Sequence, residues 1–192
     1  MTEPVTVIGA GLAGSEAAWQ LVRLGIPVRL AEMRPLRSSP AHQTESFAEL
    51  VCSNSLRAAA PTNAVGLLKE EMRRMGSLIM ACADAHRVPA GGALAVDRRG
   101  YAEAVTAALK KHPLVEVQEA DYEAIPEEGI VIVATGPLTD GAMAESVARF
   151  CGGESFHFYD AAAVSFTPLT PPALSPVEVS GVAGSLKNKQ RD

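Results

Sequence analysis

Ten residues near the amino terminus, Val5-Thr6-Val7-Ile8-Gly9-Ala10-Gly11-Leu12-Ala13-Gly14, constrain this chain more than any other stretch. An apolar run of strand length meets three glycines at G-x-G-x-x-G spacing. A helical pattern follows at once, with Leu12, Ala13, Ala17, Ala18, Leu21 and Leu24 on its apolar side. Each glycine has a physical task. Gly9 permits the tight strand-to-helix turn, Gly11 leaves room for a pyrophosphate against the backbone, and Gly14 lets the helix pack close. The helix start then offers N–H groups and a positive dipole end to phosphates.

A lone glycine motif of this kind is a weak signal, so its context matters. A second strand, Pro27 to Ala31, ends in Glu32, where the dinucleotide fingerprint places an acid for a ribose hydroxyl. Strand, glycines, helix, strand and acid together predict a dinucleotide site. A carboxylate at Glu32 would repel a 2′-phosphate, which favours FAD or NAD over NADP. Met33-Arg34-Pro35-Leu36-Arg37 is then a loop at the ligand-facing end of the sheet. There Arg34 and Arg37 meet phosphate or are simply solvated.

The chain of 192 residues is long enough for one domain with a large core, and 47% hydrophobic with 20% charged residues is ordinary for a globular protein. No apolar run approaches a membrane span, and no signal peptide is read at the start. Cys52, Cys82 and Cys151 form neither a metal motif nor a disulfide framework, which fits a reducing cytoplasm. The isolated histidines suggest no metal site. The net charge of −5 argues against a generally basic nucleic-acid surface, so an RNA partner needs a local patch.

Along the chain, Phe47 to Val51 suits a helical turn, followed by a small polar turn, Cys52-Ser53-Asn54-Ser55. Cys52 is either a small buried hydrophobe or a reactive thiol. Asn63 to Met80 is helix-like, with a possible break at Gly76. Val65, Leu67 and Leu68 are apolar, Lys69 to Arg74 supply the polar face, and Met72, Met75 and Met80 serve as core filling. Val88 to Val96 is a glycine-rich segment entering an extended run. Asp97 caps a helix over Arg98 to Lys111. Leu114 to Gln118 alternates like a strand, and Ile130 to Ala134 reads as a buried parallel strand running into Thr135-Gly136. A helix over Asp140 to Phe150 completes the pattern.

The fold class predicted is α/β: a Rossmann-like, doubly wound parallel sheet over residues 1–163. A helical insert over about residues 38–96 follows the second strand. Residues 164–192 form a proline-rich tail of extended or disordered composition.

Five segments carry a more specific signal: Glu32-Met33-Arg34-Pro35, Leu50-Val51-Cys52-Ser53-Asn54-Ser55-Leu56, Thr62 to Met72, Pro89 to Arg98 and Ala134 to Thr139. With the glycine motif, they resemble the bacterial folate- and FAD-dependent tRNA (uracil-5-)-methyltransferase family, relatives of the GidA tRNA-modifying flavoproteins. The resemblance covers about Val5 to Ala162. It implies that methylenetetrahydrofolate supplies a one-carbon unit and that reduced FAD carries it. NADH or NADPH supplies the reducing equivalents, and the product is 5-methyluridine in the T-loop of tRNA. Uracil C5 is a poor nucleophile until a thiolate adds at C6, which is why such chemistry calls for a cysteine.

By the same resemblance, Gly9, Ala10, Gly11, Leu12, Ala13 and Gly14 would hold the FAD pyrophosphate. Glu32 would bind the adenosine ribose with Met33 and Arg34 beside it, and Ala134, Thr135 and Gly136 would make a second FAD contact. Cys52 would assist at the flavin rather than attack uracil. Family members are more than twice as long, and their remainder carries the NAD(P)H- and tRNA-facing domain and the uracil nucleophile. The match stopping at Ala162 predicts a truncated or frame-shifted product. The alternatives are a non-catalytic FAD-binding fragment or a GidA-like enzyme. No membrane or DNA partner is expected.

Overall fold

The structure is a computed structural model that describes residues 3–152. The expected tail, and the end of the family resemblance at Tyr159 to Ala162, lie outside the described residues.

Four parallel strands form the main sheet in the order β6-β2-β1-β7. Strand β1 (Val5–Ile8) pairs on one side with β2 (Val28–Glu32), Val7 opposite Leu30, and on the other with β7 (Val131–Val133), Val7 opposite Ile132. Strand β6 (Val115–Glu119) lies outside β2. Helix α1 (Leu12–Arg23) links β1 to β2 and buries Gly14, Ser15, Ala18 and Val22. Helix α4 (Arg98–Lys110) leads to β6 and buries Tyr101, Ala102, Val105 and Leu109. Val7, Val28 and Leu30 of the central strands close the core with these side chains. Helix α5 (Gly141–Phe150) follows β7 and buries Met143 and Ser146. The chain thus turns to opposite sides of β1, toward β2 through α1 and later to β7. That makes the carboxyl ends of β1 and β7 a topological switch point, where open α/β sheets form ligand crevices.

The insert is not purely helical. Helices α2 (Ala64–Arg74) and α3 (Leu78–Ala85) are present, broken at Gly76 as the sequence suggests, with φ +71 there. They are joined by an antiparallel sheet in the order β3-β5-β4, made of Ser55–Ala58, Ala93–Val96 and Arg87–Val88. The two edge strands are short and poor in β-branched residues, so their pairing comes from β5 rather than from local preference.

Three further expectations need correction. Phe47 to Val51 forms no helical turn; Phe47 and Ala48 make a bend, with Ala48 at φ +51 and its N–H bonded to the Ala10 carbonyl. Strand β7 is parallel but only half buried, because it is the edge of its sheet among the described residues. Helix α2 is rotated against its hydrophobic pattern: Lys69 is 5% exposed, whereas Leu67 and Leu68 are 48% and 54% exposed. Gly66 and Lys69 lie against the β3 segment and so decide which face turns inward. Of the three methionines, Met80 is core, Met72 is partly buried and Met75, at the end of α2, is exposed.

Candidate dinucleotide-binding site

The glycine turn sits at the switch point. Gly9 has φ +98, and a Cβ there would lie 2.6 Å from the Ala134 carbonyl oxygen, so the β1 and β7 loops meet closer than any side chain allows. A Cβ on Gly14 would lie 1.8 Å from the Gly9 carbonyl oxygen, which fixes α1 tight on its own turn. Gly11 differs: among the described residues, nothing lies within 4 Å of its Cβ position. It opens α1 as the N-cap without a capping side chain, whereas Asn63, Ser77 and Asp97 cap α2, α3 and α4. The first-turn N–H groups of α1 are therefore left for another acceptor, beside open space.

Ala10 is fully buried and its backbone is fully engaged. Its N–H donates to Glu32 Oε2 at 2.9 Å, and its carbonyl accepts from Ser15 Oγ at 3.0 Å and from the Ala48 N–H at 2.9 Å. Leu12 and Ala13 are exposed at the rim. Ala48 is buried in left-handed backbone, a conformation held only where neighbours over-determine it.

Glu32 stands at the end of β2, 5% exposed, with Arg34 at 4%. Glu32 Oε1 accepts from Arg34 Nε at 2.7 Å and from the Arg34 backbone N–H at 3.2 Å. Burial by itself pushes the Glu32 carboxyl up, but the Arg34 guanidinium and the backbone donors of Ala10 and Arg34 outweigh it and hold the group below its ordinary value. Arg34 is neither solvated nor turned toward open space. Its Nη1 donates to the Thr44 and Ser46 carbonyls at 3.1 and 3.0 Å and approaches Glu49 Oε2 at 3.3 Å. Met33 is half buried and its carbonyl accepts from the Arg37 N–H. Arg37 is not simply solvated either. It grips Asp121 through Nε at 2.7 Å and Nη2 at 3.2 Å, and Asp140 through Nη1 at 2.8 Å. Hydrogen bonds to those two carboxylates raise its pKa.

On the β7 side, the Ala134 N–H donates to the Ile8 carbonyl at 2.8 Å. Thr139 Oγ1 donates to the Gly136 carbonyl at 2.7 Å and accepts from Thr135 Oγ1 at 2.6 Å, closing the turn where Gly136 takes φ +81. Ala134, Thr135 and Gly136 thus flank the glycine turn. Cys52 is exposed, on a segment tied at Ala48 to the glycine turn and at Asn54 to Val96. Three residues of chain separate it from Ala48, so its Cα lies within about 15 Å of that anchor. Its exposure rules out the reading as a small buried hydrophobe.

Sequence reasoning missed the bracing role of Thr44, Ser46 and Glu49, and the clamp of Ala48 on Ala10. Both depend on long-range partners. An apolar groove of about 450 Å³ between α1 and the insert, lined by Leu12, Ala17, Leu56, Met72 and Ile79, was equally invisible. Among the described residues no helix is long and apolar enough to cross a membrane.

Proteins named methylenetetrahydrofolate--tRNA-(uracil-5-)-methyltransferase TrmFO match over 163 residues. The one from Desulforudis audaxviator is 64% identical and that from Rhizorhabdus wittichii 63%, each match covering 85% of this chain and 37% of the relative. The chain therefore spans a little over a third of the length of these relatives. Among solved structures, Aquifex aeolicus GidA superposes with a TM-score of 0.52 at 16% identity, over 65% of this chain and 20% of that one, a likeness of fold. Residues 4–163 match the family described as glucose inhibited division protein A, and the chain belongs to that family, its sequence matching the amino-terminal part of the TrmFO branch.

Proposed function

We propose that this chain is the FAD-binding part of a folate-dependent tRNA (uracil-5-)-methyltransferase. The observation that carries the reading is the open cradle at Gly11, beside an uncapped helix start, in a chain 64% identical to a protein of that name.

The residues fit the cofactor. The N–H groups opening α1 bind the pyrophosphate, and Gly11 leaves it room. Glu32 takes the adenosine ribose. Its Oε2, which accepts only from the Ala10 N–H, keeps an acceptor site, whereas Oε1 is filled by the two bonds from Arg34. Arg34 acts through Glu32, keeping it ionised and correctly aimed, and Met33 packs beside it. Ala134, Thr135 and Gly136 line the opposite wall. Bound there, FAD supplies the redox chemistry, drawing on NADH or NADPH. Cys52 presents a free thiol on the rim and assists at the flavin. Methylenetetrahydrofolate as one-carbon donor and the T-loop of tRNA as acceptor belong to the whole enzyme, in the cytoplasm with its tRNA.

A chimera tests the reading. Residues 4–162 of this chain replace the matching part of the Desulforudis relative, and 5-methyluridine formation in tRNA is measured with methylenetetrahydrofolate. Methylation by the chimera, reduced at least tenfold by Cys52→Ala, is expected. A folded, flavin-loaded chimera that forms no 5-methyluridine would point instead to the GidA-like chemistry.

A further inference from the structure

Helix α2 turns a lysine inward and two leucines outward. Lys69 is 5% exposed as a residue, and its ammonium donates to the Ala58 carbonyl at 3.1 Å and the Val65 carbonyl at 3.2 Å. Both acceptors are neutral. Among the described residues, no carboxylate lies within ion-pair distance of Lys69 or of Arg57. A buried ammonium without a counter-charge is costly.

Arg57 precedes the Ala58 carbonyl that Lys69 holds. Its φ is +67, in a strand whose register with β5 shifts between Ser55 and Ala58, and its N–H is fixed by Ser55 Oγ at 3.1 Å. Left-handed backbone at an arginine is strained, and such irregularities re-aim side chains beside functional sites. The Arg57 side chain is exposed. Burial first, then the positive charges of Arg73 and Arg57, hold the Lys69 ammonium below its ordinary pKa, so these cations share one neighbourhood. Arg73 is neutralised by Asp84, at 2.7 and 2.8 Å. Arg57 and Lys69 are left as two uncompensated positive charges in a chain of net charge −5. Arg57 stands on the irregular strand that Cys52 leads into, and Lys69 reaches that strand from α2.

We propose that Arg57, with Lys69 behind it, is an oxyanion-binding site for the substrate side of the reaction. It takes a backbone phosphate of the RNA or a carboxylate of the folate. The inference rests on the methyltransferase reading and adds a site to it. The lysine supplies a fixed buried charge, and the arginine supplies the exposed donors.

Binding to the purified, FAD-loaded chain distinguishes the two sources. A tRNA transcript is titrated at several salt concentrations, and tetrahydrofolate is titrated separately, against unaltered chain, Arg57→Gln, Arg57→Lys and, as a control, Arg99→Gln, whose side chain is paired with Glu103. Arg57→Gln is expected to weaken one of the two ligands about tenfold, with Arg57→Lys recovering part of the loss and Arg99→Gln unchanged. If the ligand is RNA, the slope of log affinity against log salt falls by about 1, the signature of one lost phosphate contact. Equal binding of both ligands to Arg57→Gln and the unaltered chain overturns the proposal, and so does a flavin-loaded chain that binds neither. Failure of the underlying reading looks different: the chain takes up no flavin at all.

Discussion

The Glu32 carboxylate accepts a hydrogen bond from the Ala10 N–H at 2.9 Å, tying the end of β2 to the glycine turn that follows β1. The same carboxylate holds Arg34 at 2.7 Å, and Arg34 holds the 44–49 loop. One buried acid therefore organises three loops around the crevice. Glu32→Gln removes the charge and leaves Arg34 with Glu49 alone. Breaking a buried pair from one side costs about 3 kcal/mol. A matching fall in the urea midpoint, together with weaker FAD binding, is expected.

Acid sensitivity follows from the same group. The folded-state pKa of Glu32 lies below 4.5, so the unfolded chain binds more protons, and the stability from this group is complete above pH 4.5 and lost as pH falls below it. His42 adds an earlier component. Burial, then the Arg34 charge, hold its pKa below 6.5, so its stabilisation begins to fade below pH 6.5. Urea titrations at pH 7.5, 6, 5 and 4 are expected to show both steps. His42→Asn removes the upper one and Glu32→Gln the lower.

Two glycines separate binding from folding. Gly14→Ala drives a Cβ to 1.8 Å from a backbone oxygen that has nowhere to go. It is expected to destabilise the chain by about 3 kcal/mol or more. Gly11→Ala adds a methyl group in open space, with a stability cost of about 1 kcal/mol or less. It is nonetheless expected to hinder flavin binding at the proposed pyrophosphate site. Thermal melts and flavin titration of both variants check the contrast.

Much of this fold was legible in the sequence because β1, α1, β2, α4 and β6 follow their hydrophobic pattern, with a glycine turn opening α1 and Asp97 capping α4. The glycine turn was readable for the same reason. The insert was less so. Ser55-Leu56-Arg57-Ala58 has little strand preference and pairs because β5 is there to receive it. Ala48 bends left-handed because Ala10 holds its N–H, and no local signal announces that. In α2 the pattern points the wrong way: Gly66, whose Cβ would lie 1.9 Å from the Ala60 carbonyl oxygen, and Lys69 set the inner face against two leucines. At the candidate site, Glu32 was singled out by its spacing from the glycines, and the structure bonds it to the glycine turn through the Ala10 N–H. That Arg34 serves Glu32 rather than a phosphate is a tertiary fact.

The cysteines are expected to divide by access. Cys52 and Cys151 are exposed, whereas Cys82 is buried and its thiol is pushed up, chiefly by burial. Alkylation of the native chain followed by mass spectrometry should modify the first two quickly and Cys82 only after unfolding. Bound FAD is expected to slow Cys52 and leave Cys151 unchanged.

Tyr101 is fully buried, and among the described residues its hydroxyl has no hydrogen-bond partner. Removing an orphaned polar atom while keeping the ring relieves a desolvation cost of about 1 kcal/mol. Tyr101→Phe is therefore expected to leave stability unchanged or raise it, read as the urea midpoint.

The most direct measurement is the visible absorption spectrum of the purified chain with added FAD, before and after gel filtration, for the unaltered chain and for Gly11→Ala. The account predicts a flavin band that stays with the unaltered chain and is lost from a variant that still folds. An unaltered chain that elutes folded and colourless, or a Gly11→Ala chain that keeps the flavin equally well, would contradict it.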